Sequence, residues 1–349
     1  MSELKEHQLL HREWENVGMK RNKGEQRNPF VFMTWNHLAD GLDVYGGFNT
    51  PVEHLQWEYR QPKIIKEIKD TDPDIFCLQE ANHSTDVLAK EFADYSMLHV
   101  AKLDSPCLKY GGPPDGCAIF YRRSRFQLRG LKTHIYTVNI PGSLEVDVNA
   151  GLSNQNAIFA CLYDVVEGKH VIVVTTHLKA KYGTEIQMSR NYQTLELLKE
   201  LEEFRYKHGT NHPVIVCGDF NGNSSEELYV TMLKSPLNFC SVYNSSSREH
   251  CKSMSVESGE DDNLLYANSE PVYTTWKFRD DGVEKMSCID YIWISESSLQ
   301  LSAFALRVLP STSDIGPAGL PCKTYPSDHL SLACKVAWSQ SASDSNSNS

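Results

Sequence analysis

Six apolar runs of this chain end in a group that can hold a cation or move a proton. Asn36 closes FVFMTWN (30–36) and Glu80 closes DIFCLQE (74–80). His177 and Lys179 lie in VVTTHLK, Asp219 and Asn221 in VCGDFN, Asp290 in CIDYIW, and Asp328 with His329 in YPSDHLSL. A polar residue at a strand end is usually a cap, a turn former or a satisfied hydrogen-bonding group, so each alone carries little. Six together carry more, because strand ends gathered at one edge of a sheet make a site. The donors are mostly oxygens, with no Cys-x-x-Cys pair and no histidine cluster. Such a set suits Mg²⁺ or Mn²⁺ rather than zinc. A carboxylate-held Mg²⁺ with His and Asn beside it fits phosphate-ester hydrolysis, where charge on the phosphoryl group must be stabilised.

The elements that must position these groups follow from periodicity and punctuation. Residues 1–28 read as a polar extension, in part helical. Spacing of Leu55, Tyr59, Ile64, Ile65 and Ile68 predicts a helix over 53–70, with Pro62 as a break or kink. Further helices are expected at 85–95, at 185–206, and at 224–233, the last opening on Ser224–Ser225 as caps. Strands are expected at 30–36, 74–80, 117–123, 156–166, 169–179, 213–221, 271–279, 287–295 and 330–338, with a turn at 111–116. The polar stretch 244–263 reads as a disordered surface insertion and 339–349 as a disordered tail. No repeat and no Gly/Pro linker divides the chain, so residues 29–338 form one expected domain with sheet inside and helices outside.

Composition bounds the function. With 349 residues, 40% of them hydrophobic, the chain can bury a sizeable core. A formal charge of −11 argues against holding nucleic acid by general charge. Much of that acidity is local: residues 244–263 hold five acids against two bases, Asp344 lies in the tail, and Glu80, Asp219, Asp290 and Asp328 belong to the candidate site. The balance therefore speaks against a long RNA track, not against a compact pocket for one phosphorylated nucleotide. No apolar run is long enough to span a bilayer, so no membrane association is expected. Ten cysteines sit largely in strand-like runs and read as free thiols of a reducing compartment. A cytoplasmic location follows as the expectation, with a mitochondrial form requiring another N-terminus.

Taken in order, WNHLAD, CLQE, THLKA, CGDFN, IDYIW and YPSDHLSL resemble the endonuclease/exonuclease/phosphatase superfamily. VEHLQWEYR (52–60), SPCL (105–108), GPPDGCAIF (112–120), THLKA (176–180) and YTTWKFR (273–279) narrow the resemblance to one branch. The related catalytic deadenylases share the WN, LQE, DGCAIF, DYI and SDH pieces but not THLKA or YTTWK. The resemblance implies an α/β (α+β) four-layer sandwich, two packed, mostly antiparallel sheets flanked by helices, with the site at one rim. It implies Glu80 as the main Mg²⁺ ligand with Asn36 beside it, and Asp219 as the residue that orients or deprotonates the attacking water. Asn221 would bind a phosphate oxygen, and His329 the scissile phosphate, held by Asp290. Asp328 would support the metal-side network, and His177 would contact the phosphate or the leaving group.

Lys102, Lys179, Lys181 and Arg279 match the branch's basic pocket, with Lys181 standing where that branch has Arg. Lysine keeps the charge but not the planar fork. Trp276 reads as core. The resemblance implies removal of the 2′-phosphate from NADP⁺ and NADPH by a monomeric enzyme. The alternative is a 3′–5′ exoribonuclease acting on poly(A), and RNA is not favoured because no basic stripe with stacking aromatics runs outside the motifs. A non-catalytic binding protein with a decayed site is the reading from another class. The intact metal and base positions weigh against it.

Overall fold

A computed structural model describes residues 9–17, 28–43, 46–137, 152–244, 269–279, 282–296 and 300–339. Most of the 244–263 insertion and nearly all of the 339–349 tail lie outside these residues, as does much of the N-terminal extension.

Fifteen strands are present among the described residues. They are β1 (Trp14–Asn16), β2 (Phe30–Asn36), β3 (Ile75–Gln79), β4 (Tyr95–Ala101), β5 (Gly116–Arg122), β6 (Phe126–Thr137), β7 (Leu152–Asp164) and β8 (Lys169–His177). These are followed by β9 (Val214–Asp219), β10 (Phe239–Ser241), β11 (Thr275–Phe278), β12 (Glu284–Ser287), β13 (Asp290–Ser295), β14 (Leu301–Arg307) and β15 (Leu332–Trp338). The α-helices among the described residues are α1 (Trp57–Thr71), the short α2 (Ala89–Glu91), α3 (Thr184–His208), α4 (Glu227–Leu233) and the four-residue α5 (Thr312–Ile315).

One sheet has the order β1-β14-β15-β2-β3-β5-β4, the other β10-β13-β9-β8-β7-β6, and β11-β12 is a separate hairpin. Pairing is antiparallel except at β2/β3 and β8/β9. The expected sandwich of two mostly antiparallel sheets is therefore the observed one.

The apolar strand runs are nearly continuous because both faces are covered. In β8, Val171 and Val173 face the space between the sheets, among Phe32, Ile75, Ile119, Ile215 and Leu332. Ile172 and Val174 pack outward under Leu197, Leu201 and Phe204 of α3. On the other sheet, Ile64 and Ile68 of α1 cover Met33, Phe76 and Phe120. The cysteines of these runs behave as small hydrophobes: all nine described are free and only Cys240 is not buried.

Several expectations are corrected. Residues 9–17 of the polar extension are built into the sheet: β1 pairs with β14, and buried Arg12 donates to Glu67 Oε1 at 3.1 Å and Ser331 Oγ at 2.7 Å. Pro62 does not break its helix, which runs through to Thr71 with Trp57, Ile64 and Ile68 buried along it. The 224–233 helix opens later than expected, on Glu226, since Ser225 bonds back to Asn223 Oδ1 instead. Residues 95–101 form β4 rather than ending a helix that spans 85–95. Among the described residues, no helix is long and apolar enough to cross a membrane.

Candidate active site

The two parallel pairs decide where chemistry collects. In a parallel pair both strands finish at the same edge, so β2/β3 delivers Asn36 beside Gln79 and then Glu80. Likewise β8/β9 sets His177 opposite Asp219, and antiparallel β13 begins where β9 ends, with Asp290 opposite Asp219. The two edges face each other across the sandwich. Gln79, buried, links them from behind, donating to Thr34 Oγ1 at 3.1 Å and to Thr175 Oγ1 at 2.9 Å in the opposite sheet.

At the front, one amide joins the sheets: Asn36 Nδ2 donates to Glu80 Oε1 at 3.1 Å and to Asp219 Oδ2 at 2.9 Å. Glu80 leaves its strand with φ +53, and its Oε2 accepts from Ala39 N at 3.1 Å. Gly218, with φ +137, precedes Asp219; a Cβ there would lie 2.0 Å from Thr176 O. Only glycine allows the two strands to close at that point. Asp219 Oδ1 accepts from Asn221 N at 2.8 Å, and Asn221 Nδ2 donates to Leu178 O at 3.1 Å.

His329 is fixed from three directions. Trp35 Nε1 donates to its carbonyl at 2.7 Å, its N–H donates to Ser327 Oγ at 3.1 Å, and Ser327 Oγ donates to Asn36 O at 2.6 Å. Its Nδ1 meets Asp290 Oδ2 at 2.9 Å, while Thr274 Oγ1 donates to that same oxygen at 2.6 Å. Its Nε2 faces Asp219 Oδ2 and Asp328 Oδ2, each at 3.8 Å. Burial alone would push the imidazole down, but Asp290, Asp328 and Asp219 together raise it to about 9. His329 is therefore a cation at neutral pH.

Burial raises Asp219 to about 7, with His329 opposing and Asp290 adding to the rise. Burial would raise Asp328 too, yet Lys277, His329 and Arg279 hold it well below the usual carboxylate range. His177 lies with Nε2 3.6 Å from Asp219 Oδ2, and its Nδ1 is buried without a partner among the described residues. Burial and then Lys102 push it well below its ordinary value, so it is neutral.

The four expected cations are not equivalent. Lys102 Nζ sits 2.5 Å from buried Asp115 Oδ2; burial works against its charge, and Asp115 with Glu80 more than restores it. Lys179 is lowered by burial and by the fields of Lys181 and Lys102, which places three cations in one neighbourhood. Lys181 is exposed with φ +102. Arg279 is spent on the loop before α1, bonding the Gly46 carbonyl with its guanidinium 4.1 Å over the Phe48 ring. Trp276 is buried, as expected for core.

Reading the sequence alone missed several positioning residues. Thr274 fixes Asp290 and also accepts from Ile289 N and Asp290 N, both at 3.1 Å. Lys277 pairs with Asp328. Arg190, buried in α3, grips Glu226 with Nε at 2.9 Å and Nη2 at 2.8 Å. Its Nη1 donates to the carbonyls of Lys179 (3.1 Å) and Lys181 (2.9 Å), so this one side chain sets the basic loop. Ser327 inside PSDH was the one legible signal, being a hydroxyl two residues before the histidine it caps.

Ligand atoms of Asp219, Asp290 and His329 all lie within 4.8 Å of one another, a grouping that could hold a metal ion. In that trio both Asp290 oxygens face His329 Nδ1, while the Asp219 oxygens accept from Asn221 N and Asn36 Nδ2. Glu80 and Asp219 form the better donor set, since hard divalent cations take carboxylate oxygens; Asn36 turns its Nδ2 to both, and its Oδ1 accepts from Leu38 N at 3.1 Å. Burial and then the neighbouring Asp290 raise the proton affinity of Asp219, and a divalent cation would oppose that rise.

Comparison with known proteins agrees with this architecture. The sequence profile of the Endonuclease/Exonuclease/phosphatase family matches residues 33–329. Nocturnin of Xenopus laevis is 37% identical over 338 residues, covering 95% of this chain and 78% of that protein. The 3′-5′-exoribonuclease subunit Ccr4 of Kluyveromyces lactis is 26% identical, over 88% of this chain and 41% of its own length. Among solved structures, the human nocturnin catalytic domain with bound sulfate superposes with a TM-score of 0.69 at 30% identity, covering 94% of this chain and 97% of that one. The chain belongs to the endonuclease/exonuclease/phosphatase family of metal-dependent hydrolases, and within it resembles nocturnin.

Proposed function

We propose that this enzyme removes the 2′-phosphate of NADP⁺ and NADPH, using Mg²⁺ or, in its place, Mn²⁺, to give NAD⁺ or NADH and inorganic phosphate. The observation that carries the reading is the confinement of positive charge. Lys102, Lys179 and Lys181 share one field beside Glu80, in a chain of net charge −11. That arrangement suits one dianionic phosphoryl group better than a polyanion, whose backbone needs a continuous basic groove.

A divalent ion, which Glu80 would hold with Asn36 beside it and Asp219 nearby, would supply charge stabilisation on the phosphoryl group. The chain's own groups do the rest. Asp219, ionised, orients a water and takes its proton; Asn36 and the Asn221 N–H keep its two oxygens aimed. Cationic His329, oriented by Asp290, binds a non-bridging oxygen, and the Asn221 side chain binds another. Neutral His177 donates a hydrogen bond to the phosphate or to the leaving oxygen. The water oxygen bonds to phosphorus, the P–O2′ bond breaks with its electron pair on the ribose oxygen, and that oxygen takes up a proton. Asp328, paired with Lys277, supports this network from the His329 side. Arg279 acts through the 46–48 loop it holds.

The second reading is 3′-exonucleolytic removal of poly(A), favoured by the similarity to Ccr4. Purified protein with Mg²⁺ is incubated with NADPH or with labelled oligo(A). Phosphate release from NADPH is expected; shortened oligo(A) with no phosphate from NADPH would overturn the proposal. The monomer and a cytoplasmic setting remain part of the proposal, the first checked by light scattering.

A further inference from the structure

The basic loop carries one residue that phosphate binding does not use. Tyr182 directly follows Lys181 and is 75% exposed. An exposed tyrosine alone is ordinary. This one differs in how its surroundings are built. The loop beneath it is pinned by buried Arg190, which holds the carbonyls of Lys179 and Lys181. Lys181 keeps φ +102 there, a conformation that costs energy for a non-glycine residue. The ring is thus presented from a fixed base, three residues beyond a phosphate-field lysine.

The second wall comes from the β11–β12 hairpin. Lys277 and Lys285 are directly opposed in its register and so project from the same face. Lys277 reaches into the site to pair with Asp328, beside His329. Lys285, one strand further out, places its Nζ 4.9 Å from the centroid of the Tyr182 ring. The hairpin therefore links the reacting centre to the tyrosine. Contacts run from His329 through Asp328 and Lys277 to the hairpin, and from Lys285 to Tyr182. Most of the ring's surface remains open although it carries a cation.

We infer that Tyr182, backed by Lys285, is a stacking platform for the base of a phosphorylated nucleotide whose phosphate lies at Lys179 and Lys181. The inference rests on the nucleotide phosphatase reading and adds the residue that would separate nucleotides from base-free phosphate esters. A planar heterocycle gains from lying on a rigid aromatic, and sequence-tolerant stacking of this kind is worth a substantial factor in affinity.

Binding of NADP⁺ and of inorganic phosphate is measured by titration calorimetry on the full chain with wild type, Tyr182→Ala, Tyr182→Phe and Lys285→Met. Tyr182→Ala should weaken NADP⁺ by about 5- to 150-fold, the range for one stacked base. Phosphate binding should stay unchanged, and Tyr182→Phe should restore NADP⁺ to within about threefold, since both rings stack alike. Lys285→Met should fall between wild type and Tyr182→Ala. In turnover, the loss should appear in KM with kcat retained, as for an interaction equal in ground and transition states.

Unchanged NADP⁺ affinity in Tyr182→Ala, no NADP⁺ binding by wild type, or an equal loss for phosphate would each overturn the inference. A wild type that binds NADP⁺ through Tyr182 yet releases no phosphate would instead sink the phosphatase reading and leave the platform standing.

Discussion

Asp219 offers the sharpest test of the site's electrostatics, because its cost falls on stability as well as on catalysis. Buried and next to Asp290, it has its carboxyl raised from 3.8 to about 7. A group whose folded pKa is raised favours folding in its protonated form. The penalty is therefore absent below about pH 4, grows between 4 and 7, and is complete above 7. About three decades of proton affinity correspond to a ceiling of ~4 kcal/mol at 1.36 kcal/mol per decade. Asp219→Asn removes the charge while keeping the shape. The amide can still accept from Asn221 N, but it must forgo one of the bonds now made by the second oxygen, a loss of ~1 kcal/mol.

In EDTA at pH 8 the variant should thus be more stable than wild type by about 3 kcal/mol, and the gap should close toward pH 4. Urea unfolding at both pH values, with the same slope for both proteins, reads this directly. Adding Mg²⁺ should narrow the gap at pH 8 from the other side, by stabilising wild type. Turnover should be lost in the variant. A variant no more stable than wild type at pH 8, or a gap that persists at pH 4, would refute the claim that an uncompensated carboxylate is held at the site.

Three further perturbations address the residues that position the site. Thr274→Val deletes the hydroxyl between Asp290 Oδ2 and two backbone N–H groups at nearly constant volume. Stability should fall by roughly 2–4 kcal/mol and kcat should fall more than KM changes, read by urea titration and steady-state rates. Arg190→Met leaves Glu226 buried and unpaired, at a cost of about 3–5 kcal/mol, and releases the Lys179–Lys181 carbonyls, so KM should rise. Adding Glu226→Leu should recover stability without recovering KM, and recovery of both would show that the loop does not depend on Arg190. Glu80→Gln should abolish the rise in melting temperature caused by Mg²⁺ and end turnover; a Mg²⁺ response equal to wild type would place the metal elsewhere.

What the sequence made legible, and what it hid, divides along one physical line. Asn36, Glu80, His177 and Asp219 close buried strands, Asp290 opens one and His329 lies just before another, and a change between apolar and polar is visible in one dimension. Their convergence could not be found that way, since it depends on two local choices of strand direction, at β2/β3 and β8/β9.

The supports are harder still to see. Thr274, Lys277 and Arg190 lie 16, 51 and 36 residues from Asp290, Asp328 and Glu226, their partners in hydrogen bonds or ion pairs. Nothing local marks a helical arginine as buried. The same reasoning explains the short strands that were missed. β12 has no continuous apolar run to announce it, and β1 sits in a polar segment that is ordered by Arg12 reaching Glu67.

Arg279 shows what a motif leaves out, namely the partners of a cation. It belongs to the basic set in sequence; its guanidinium bonds Gly46 and covers Phe48, and its field still reaches Asp328. Lys277, two residues earlier and unremarked, is the cation that meets a site carboxylate. On a strand, residues two apart share a face, so the alternation that exposes Lys277 to Asp328 also carries Arg279 beyond it, to the loop before α1. Lys102, Lys179 and Lys181 are the cations that share one field beside Glu80. Two of these three hang from the carbonyls that Arg190 holds.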